Sequence, residues 1–172
     1  MSDMLGTSTL PAVSADDLRG AMGCFATGVT VVTSVDEAGA PVGTTANAVT
    51  SLSLHPPLVL VCFARTSLTL AAVRTHGAFA VNVLAEQHSD VSTAFARRGA
   101  NDAWDGIDHA SGHTESPRLR EALACLDCSV ERLLPGGDHV IVIGRVLDAH
   151  VSDREHAPLL FYRGSYASLQ AA

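Results

Sequence analysis

The chain is punctuated into short runs of β-branched and apolar residues, and that punctuation constrains its fold more than any other feature. Val29-Thr30-Val31-Val32-Thr33-Ser34-Val35, Leu58-Val59-Leu60-Val61-Cys62-Phe63 and Phe79-Ala80-Val81-Asn82-Val83-Leu84 each have the length and composition of a strand. Turn material bounds them: Asp36-Glu37-Ala38-Gly39-Ala40, His55-Pro56-Pro57, and Pro135-Gly136-Gly137-Asp138 between further strands at 126–134 and 139–149. Leu159-Leu160-Phe161-Tyr162 and Ser165-Tyr166-Ala167-Ser168-Leu169 complete the series. Helical stretches are inserted between strands and do not alternate with them. Ser14 caps a helix carrying Leu18, Met22 and Phe25 that stops near Gly28, Ser67 caps one over 68–75, residues 86–98 have helical spacing, and a short helix covers Pro117 to Ala124. The pattern predicts a mostly β fold, an antiparallel barrel with peripheral helices, ahead of a doubly wound sheet.

Composition narrows the function classes. A chain of 172 residues buries about 70% of its unfolded surface, enough for one core without disulfide or metal staples. Residues 1–13, mixed Ser, Thr, Gly and Pro, are expected to be a flexible leader to a single domain over 14–172. Hydrophobic content of 47% against 17% charged residues excludes a disordered chain, and a homo-oligomer is the simplest way to cover the excess apolar surface. The net charge is −7 and all eleven basic residues are scattered arginines, which argues against nucleic-acid binding. The absence of lysine excludes a Schiff base and a P-loop. Residues 1–20 have no basic cluster followed by an apolar core, so a cytoplasmic location with reduced Cys24, Cys62, Cys125 and Cys128 is expected. Apolar runs such as 58–64 fall far short of the roughly 20 residues of a spanning helix, so no membrane partner is expected.

Four stretches can carry chemistry. Gly43 to Ser53, read as one strand, places the side chains of Thr44, Thr45, Asn47, Thr50, Ser51 and Ser53 on both faces. It is either an exposed edge or a platform of donors for a planar, heteroatom-rich ring. Cys62-Phe63-Ala64-Arg65-Thr66-Ser67-Leu68-Thr69 runs from a strand into a capped helix, whose free N–H groups either need only their cap or cradle a phosphate. Phe95-Ala96-Arg97-Arg98-Gly99 can bring a guanidinium to the same phosphate or simply complement a helix end. Gly136-Gly137-Asp138-His139 is a hairpin turn whose histidine either flanks it or meets a nicotinamide at the barrel mouth. The Gly-, Asp-, His- and Ser-rich residues 99–116 form a long surface loop of the kind that sits over a site. Cys125 and Cys128 lie three apart on a strand, hence on opposite faces, and lack a second pair. No metal site is therefore assigned. No G-x-S-x-G elbow supports a hydrolase.

Together these stretches resemble the flavin reductase family of two-component monooxygenase systems. The resemblance rests on Ala21-Met22-Gly23 with Phe25-Ala26-Thr27-Gly28-Val29-Thr30-Val31-Val32-Thr33, Gly43 with Thr45-Ala46-Asn47-Ala48, and Ser51, Ser53, Pro56 and Pro57. It continues through Phe79 to Leu84, Phe95-Ala96, Gly137-Asp138-His139, Ile143-Gly144, Pro158 to Phe161, Gly164 and Tyr166. It implies an FMN-binding split barrel of antiparallel Greek-key type, a homodimer, and reduction of FAD or FMN by NADH or NADPH. Reduced flavin would reach a separate flavin-dependent monooxygenase by diffusion. Carried over by position, Thr45, Ala46, Asn47, Ala48, Val49, Ser51 and Leu52 line the isoalloxazine and ribityl chain, with Cys62, Phe63 and Ala64 beside the ring. Arg65, Ser67, Leu68, Thr69, Phe95, Ala96 and Arg97 serve the phosphate end, His139 meets the nicotinamide, and Tyr166 reaches the site from the C-terminus. Two departures stand out. Thr44 occupies a place where relatives often have Met, and the missing lysines leave Arg65, Arg74 or Arg97 as the cations for phosphate. A self-contained oxidase of the pyridoxamine-phosphate-oxidase kind and a non-catalytic flavin or haem carrier are the alternatives. The Gly-Asp-His turn favours an enzyme, since a carrier needs no nicotinamide contact.

Overall fold

The computed structural model describes residues 12–97, 99 and 101–169, so the expected leader up to residue 11, and Arg98, lie outside the described residues. Helix α1 (Ala15–Gly23) starts at Ser14, whose hydroxyl accepts the Asp17 N–H, and ends where Cys24 closes on Ala21 and Met22. It stops short of Gly28 because Thr27–Gly28 is already extended as β1. The other strands are β2 (Thr30–Val35), β3 (Pro41–Ala46), β4 (Val49–Leu54), β5 (Pro57–Ala64), β6 (Ala78–Val83), β7 (His109–Ser111), β8 (Pro117–Leu119), β9 (Ala124–Gly136), β10 (His139–Val151), β11 (Leu160–Tyr162) and β12 (Ser165–Ala167). Helices α2 (Leu68–His76) and α3 (Ser89–Ala96) are inserted after β5 and β6.

The main sheet has seven antiparallel strands in the order β3-β2-β6-β9-β10-β5-β4. Its two edge strands, β3 and β4, are consecutive in the chain and joined only by Asn47 and Ala48. A sheet whose edges meet in this way must curl. Ala48 accepts a hydrogen bond from Cys62 N at 3.0 Å, bringing the crossing against β5. The result is a mostly β split barrel, open between β3 and β4.

Two core clusters lie on opposite faces of the middle strands. Val32, Val61, Phe63, Leu70, Val73, Phe79 and Val142 pack in one, with α2. Val31, Leu84, Phe95, Leu119, Cys125 and Leu159 pack in the other. Strands buried on both faces read as continuous apolar runs, which is why β2 and β6 were so legible.

Three expectations need correction. Residues 43–53 are not one strand: β3 pairs with β2 up to Thr30↔Ala46, and β4 pairs with β5 from Val49↔Val61. The pairing partner changes at Asn47, and composition carries no record of that. Pro117 to Ala124 is not helical, because buried Asn82 accepts the Leu119 N–H at 2.8 Å and Thr33 donates its hydroxyl to Pro117 O, holding β8 extended. The loop at 99–116 contains a 3-10 turn at Asn101–Trp104 and strand β7.

Candidate functional site

The site begins with the way α3 sits on β3. Thr45 donates its hydroxyl to Ser92 O at 2.6 Å, and Gly43 lies so close under Phe95 that a Cβ there would stand 2.8 Å from Cε1 of the ring. Only glycine permits that approach. Tyr166 donates to Ser92 Oγ at 2.8 Å, clamping the same helix from β12. The far end of α3 then delivers Phe95, Ala96 and Arg97 to a cleft of about 540 Å³.

The start of α2 forms another wall of this cleft. Ser67 is its N-cap, accepting from Leu70 N at 3.3 Å, and leaves the first-turn N–H groups of Leu68 and Thr69 outside the helix ladder. Thr69 lines the cleft and is only 3% exposed, yet its hydroxyl has no partner among the described residues. Its oxygen is not one of the fully buried unpartnered atoms among the described residues, so it keeps access to the cleft and can bond a ligand there. Leu68, by contrast, is 63% exposed and offers its backbone. Arg97 stands at the rim, paired with Asp102 at 3.1 Å.

Ala64 links the cleft to a second group of residues. It lines the cleft and is also the ladder partner of His139 across β5 and β10. His139 is half exposed and its Nδ1 lies 2.8 Å from Asp138 Oδ1, a contact that holds the Asp138 carboxyl below its usual range. Arg65 donates from Nε to Gly137 O at 2.7 Å and from its backbone N–H to Asp138 O at 3.0 Å. It therefore fastens the Gly-Asp-His turn. Asn47 and Ala48 are exposed in the crossing beside Cys62, and the Asn47 amide has no partner among the described residues.

Most of the expected residues gather in one place. Ala64, Ser67, Leu68, Thr69, Phe95, Ala96 and Arg97 share the cleft, while Ala46, Asn47, Ala48, Val49 and Cys62 form the adjoining crossing. Phe63 is buried in the core and offers only backbone. Ser51 and Leu52 lie farther along β4, and Tyr166 reaches α3 and not the cleft wall. Sequence reasoning missed Asp36, Pro41 and Trp104 as cleft residues and named Thr44 only as one of the side chains of the 43–53 stretch. The loop that carries Trp104 was legible as a cover, and the lone tryptophan within it was the available signal. Cys125 and Cys128 are buried in the two separate core clusters, and burial pushes their thiols up to about 11 and about 12. They are packing residues. Among the described residues no helix is long and apolar enough to cross a membrane.

Comparison with known proteins matches this geometry to a family. The profile described as flavin reductase like domain matches residues 22–170. The chain is 42% identical over 173 residues to the flavin-dependent monooxygenase reductase subunit HsaB of Rhodococcus jostii, covering 99% of this chain and 87% of that protein. It is 40% identical to the NADH-dependent FMN reductase AsuE2 of Streptomyces nodosus subsp. asukaensis, covering 90% and 84%. Among solved structures it resembles the Streptomyces globisporus NADH:FAD oxidoreductase SgcE6 in complex with NAD and FAD fragments, at a TM-score of 0.84 and 34% identity, covering 94% and 98%.

Proposed function

The chain belongs to the family of flavin reductase like domains, and from that premise we propose that its cleft seats the tail of a flavin while His139 faces the nicotinamide. The activity is that of an NAD(P)H-dependent flavin oxidoreductase supplying reduced flavin to a separate monooxygenase. The observation that carries the site assignment is the continuity through Ala64, which borders the phosphate-type wall on one side and His139 on the other. The residues fit such a ligand: Thr69 lines the cleft with a hydroxyl that no described residue engages, and two first-turn N–H groups lie next to it.

When bound, the flavin itself supplies the hydride acceptor, so the chain needs no acid or base of its own for the transfer. Its residues bind and orient. The start of α2 and Thr69 hold the anionic tail, with Arg97 exchanging part of its pairing to Asp102 for the phosphate. Asn47 and the backbone of 46–49 present donors at the ring edge, where negative charge grows on reduction. His139, kept in place by Asp138 and by the Arg65 clamp on Gly137, would contact and orient the nicotinamide. The Thr45 hydroxyl serves α3 instead, so its part in binding is through the main chain.

The assembly we propose is a homodimer in the cytoplasm. Leu52 and Leu54 on β4, and Leu133, Leu134, Leu147 and Val151 on the paired strands β9 and β10, one strand away across β5, are large apolar residues left exposed by this chain alone. A steady-state assay at 340 nm tests the activity. NADH oxidation that requires added FAD or FMN supports the reading, and oxidation at the same rate without added flavin, or none at all, rejects it.

A further inference from the structure

The chain contains one tryptophan, and the fold places it on the wall of the cleft assigned to the flavin tail. Trp104 ends the 3-10 turn Asn101–Trp104. Its ring centroid lies 4.9 Å from Phe95 at 85° and 5.0 Å from His109 at 62°. These two edge contacts fix the plane of the indole, while partial exposure leaves some of its surface to the cleft.

The rest of the lining is not what a phosphate alone calls for. A volume of about 540 Å³ is far larger than one phosphate group and in the range of a site for an organic ligand. Arg97 is the cation among the described lining residues, and Asp102 already neutralises it in part. Asp36 adds a carboxylate: its Oδ1 accepts from the Ala38 and Ala40 N–H groups, leaving Oδ2 without a protein donor among the described residues. Ala40 and Pro41 supply small apolar surface. An indole, flat apolar neighbours, a free acceptor and a helix start in one cleft match the parts of a nucleotide. The base stacks on the indole, its amino group donates to the carboxylate, and its phosphate meets the helix.

We propose that this cleft takes the adenylate half of FAD, with adenine against Trp104, and that the chain thereby prefers FAD to FMN. The proposal rests on the reading of the cleft as the seat of the flavin tail. Stacking of a base on an aromatic side chain is worth a preference of about 5- to 150-fold. An adenylate group also occurs in NADH, so the test separates the two sources.

Because Trp104 is the sole tryptophan, its fluorescence reports on the cleft directly. ADP titrated into the intact protein should quench it saturably and should inhibit turnover competitively against FAD. Trp104→Ala should raise KM for FAD at least fivefold more than KM for FMN, and Trp104→Phe should restore most of the difference. The proposal is overturned if ADP leaves the fluorescence unchanged, if ADP competes with NADH and not FAD, or if Trp104→Ala changes both flavin KM values by the same factor. The ADP titration needs no turnover and uses the unaltered chain. The adenylate site and the reductase activity can therefore fail separately.

Discussion

Strands β3 and β4 are made of the same kind of sequence, Pro41-Val42-Gly43-Thr44-Thr45-Ala46 and Val49-Thr50-Ser51-Leu52-Ser53-Leu54, yet they meet opposite fates. Every residue of β3 is half-buried, pinned under α3 by Thr45 and Gly43. Most of β4 is exposed, with Leu54 at 79% and Leu52 at 46%. Both are edges of one sheet. What separates them is the covering element: helix α3 sits on β3, and nothing among the described residues covers β4 in the same way. An edge strand covered by a helix becomes the wall of a cleft, whereas an uncovered apolar edge calls for another chain.

The strongest way to break this comparison is to place the same lesion on each strand. Gly43→Val drives a side chain into Phe95, and overpacking of this kind costs about 1–3 kcal/mol. A lower melting temperature and at least a tenfold loss of kcat/KM for flavin are expected. Ser51→Val on β4 should leave the melting temperature within error, and an equal loss from both would erase the distinction. Next in size is the double change Leu52→Asp with Leu54→Asp, expected to convert a dimer to a monomer in sedimentation velocity. A wild-type protein that sediments as a monomer at micromolar concentration would sink the dimer.

Thr69→Val sharpens the cleft side alone. The hydroxyl has no partner among the described residues, so stability should hold. Loss of a hydrogen bond to an ionised group, about 1.5 kcal/mol or more, should raise flavin KM roughly tenfold. A lower melting temperature with unchanged KM would make Thr69 a packing residue. The smallest effect belongs to Arg65→Ala, which releases the Gly137 carbonyl from an exposed clamp. A rise in NADH KM of roughly threefold, with flavin KM unchanged and partial recovery in Arg65→Lys, is expected from one exposed hydrogen bond. A rise confined to flavin KM would return Arg65 to the phosphate.

What was legible in the sequence follows the range of the interaction that decides it. The caps at Ser14 and Ser67 are local, and both helices begin there. Continuous apolar runs marked β2 and β6 because burial on both faces needs no knowledge of neighbours, and the apolar run of β5 was equally visible although only its alternate residues are buried. The change of partner at Asn47 and the strand at Pro117–Leu119 depend on residues far along the chain, β2 and β5 in one case and Asn82 and Thr33 in the other. Arg65 is a phosphate candidate in the sequence because charge is visible there, whereas its hydrogen bond to Gly137 O, in another strand turn, appears only in the fold. The resemblance to the family pointed to Gly43, to His139 and to the segments proposed for the phosphate, and the fold added Trp104 and the close approach of Phe95 that keeps position 43 a glycine.

The claim that the covered edge, and not the open one, receives the flavin is tested most directly by hydrogen–deuterium exchange with and without saturating FMN. Protection of 43–46, 67–70 and 95–97 with no change at 51–54 is the predicted result. Protection confined to 51–54, with the cleft segments unchanged, would contradict it.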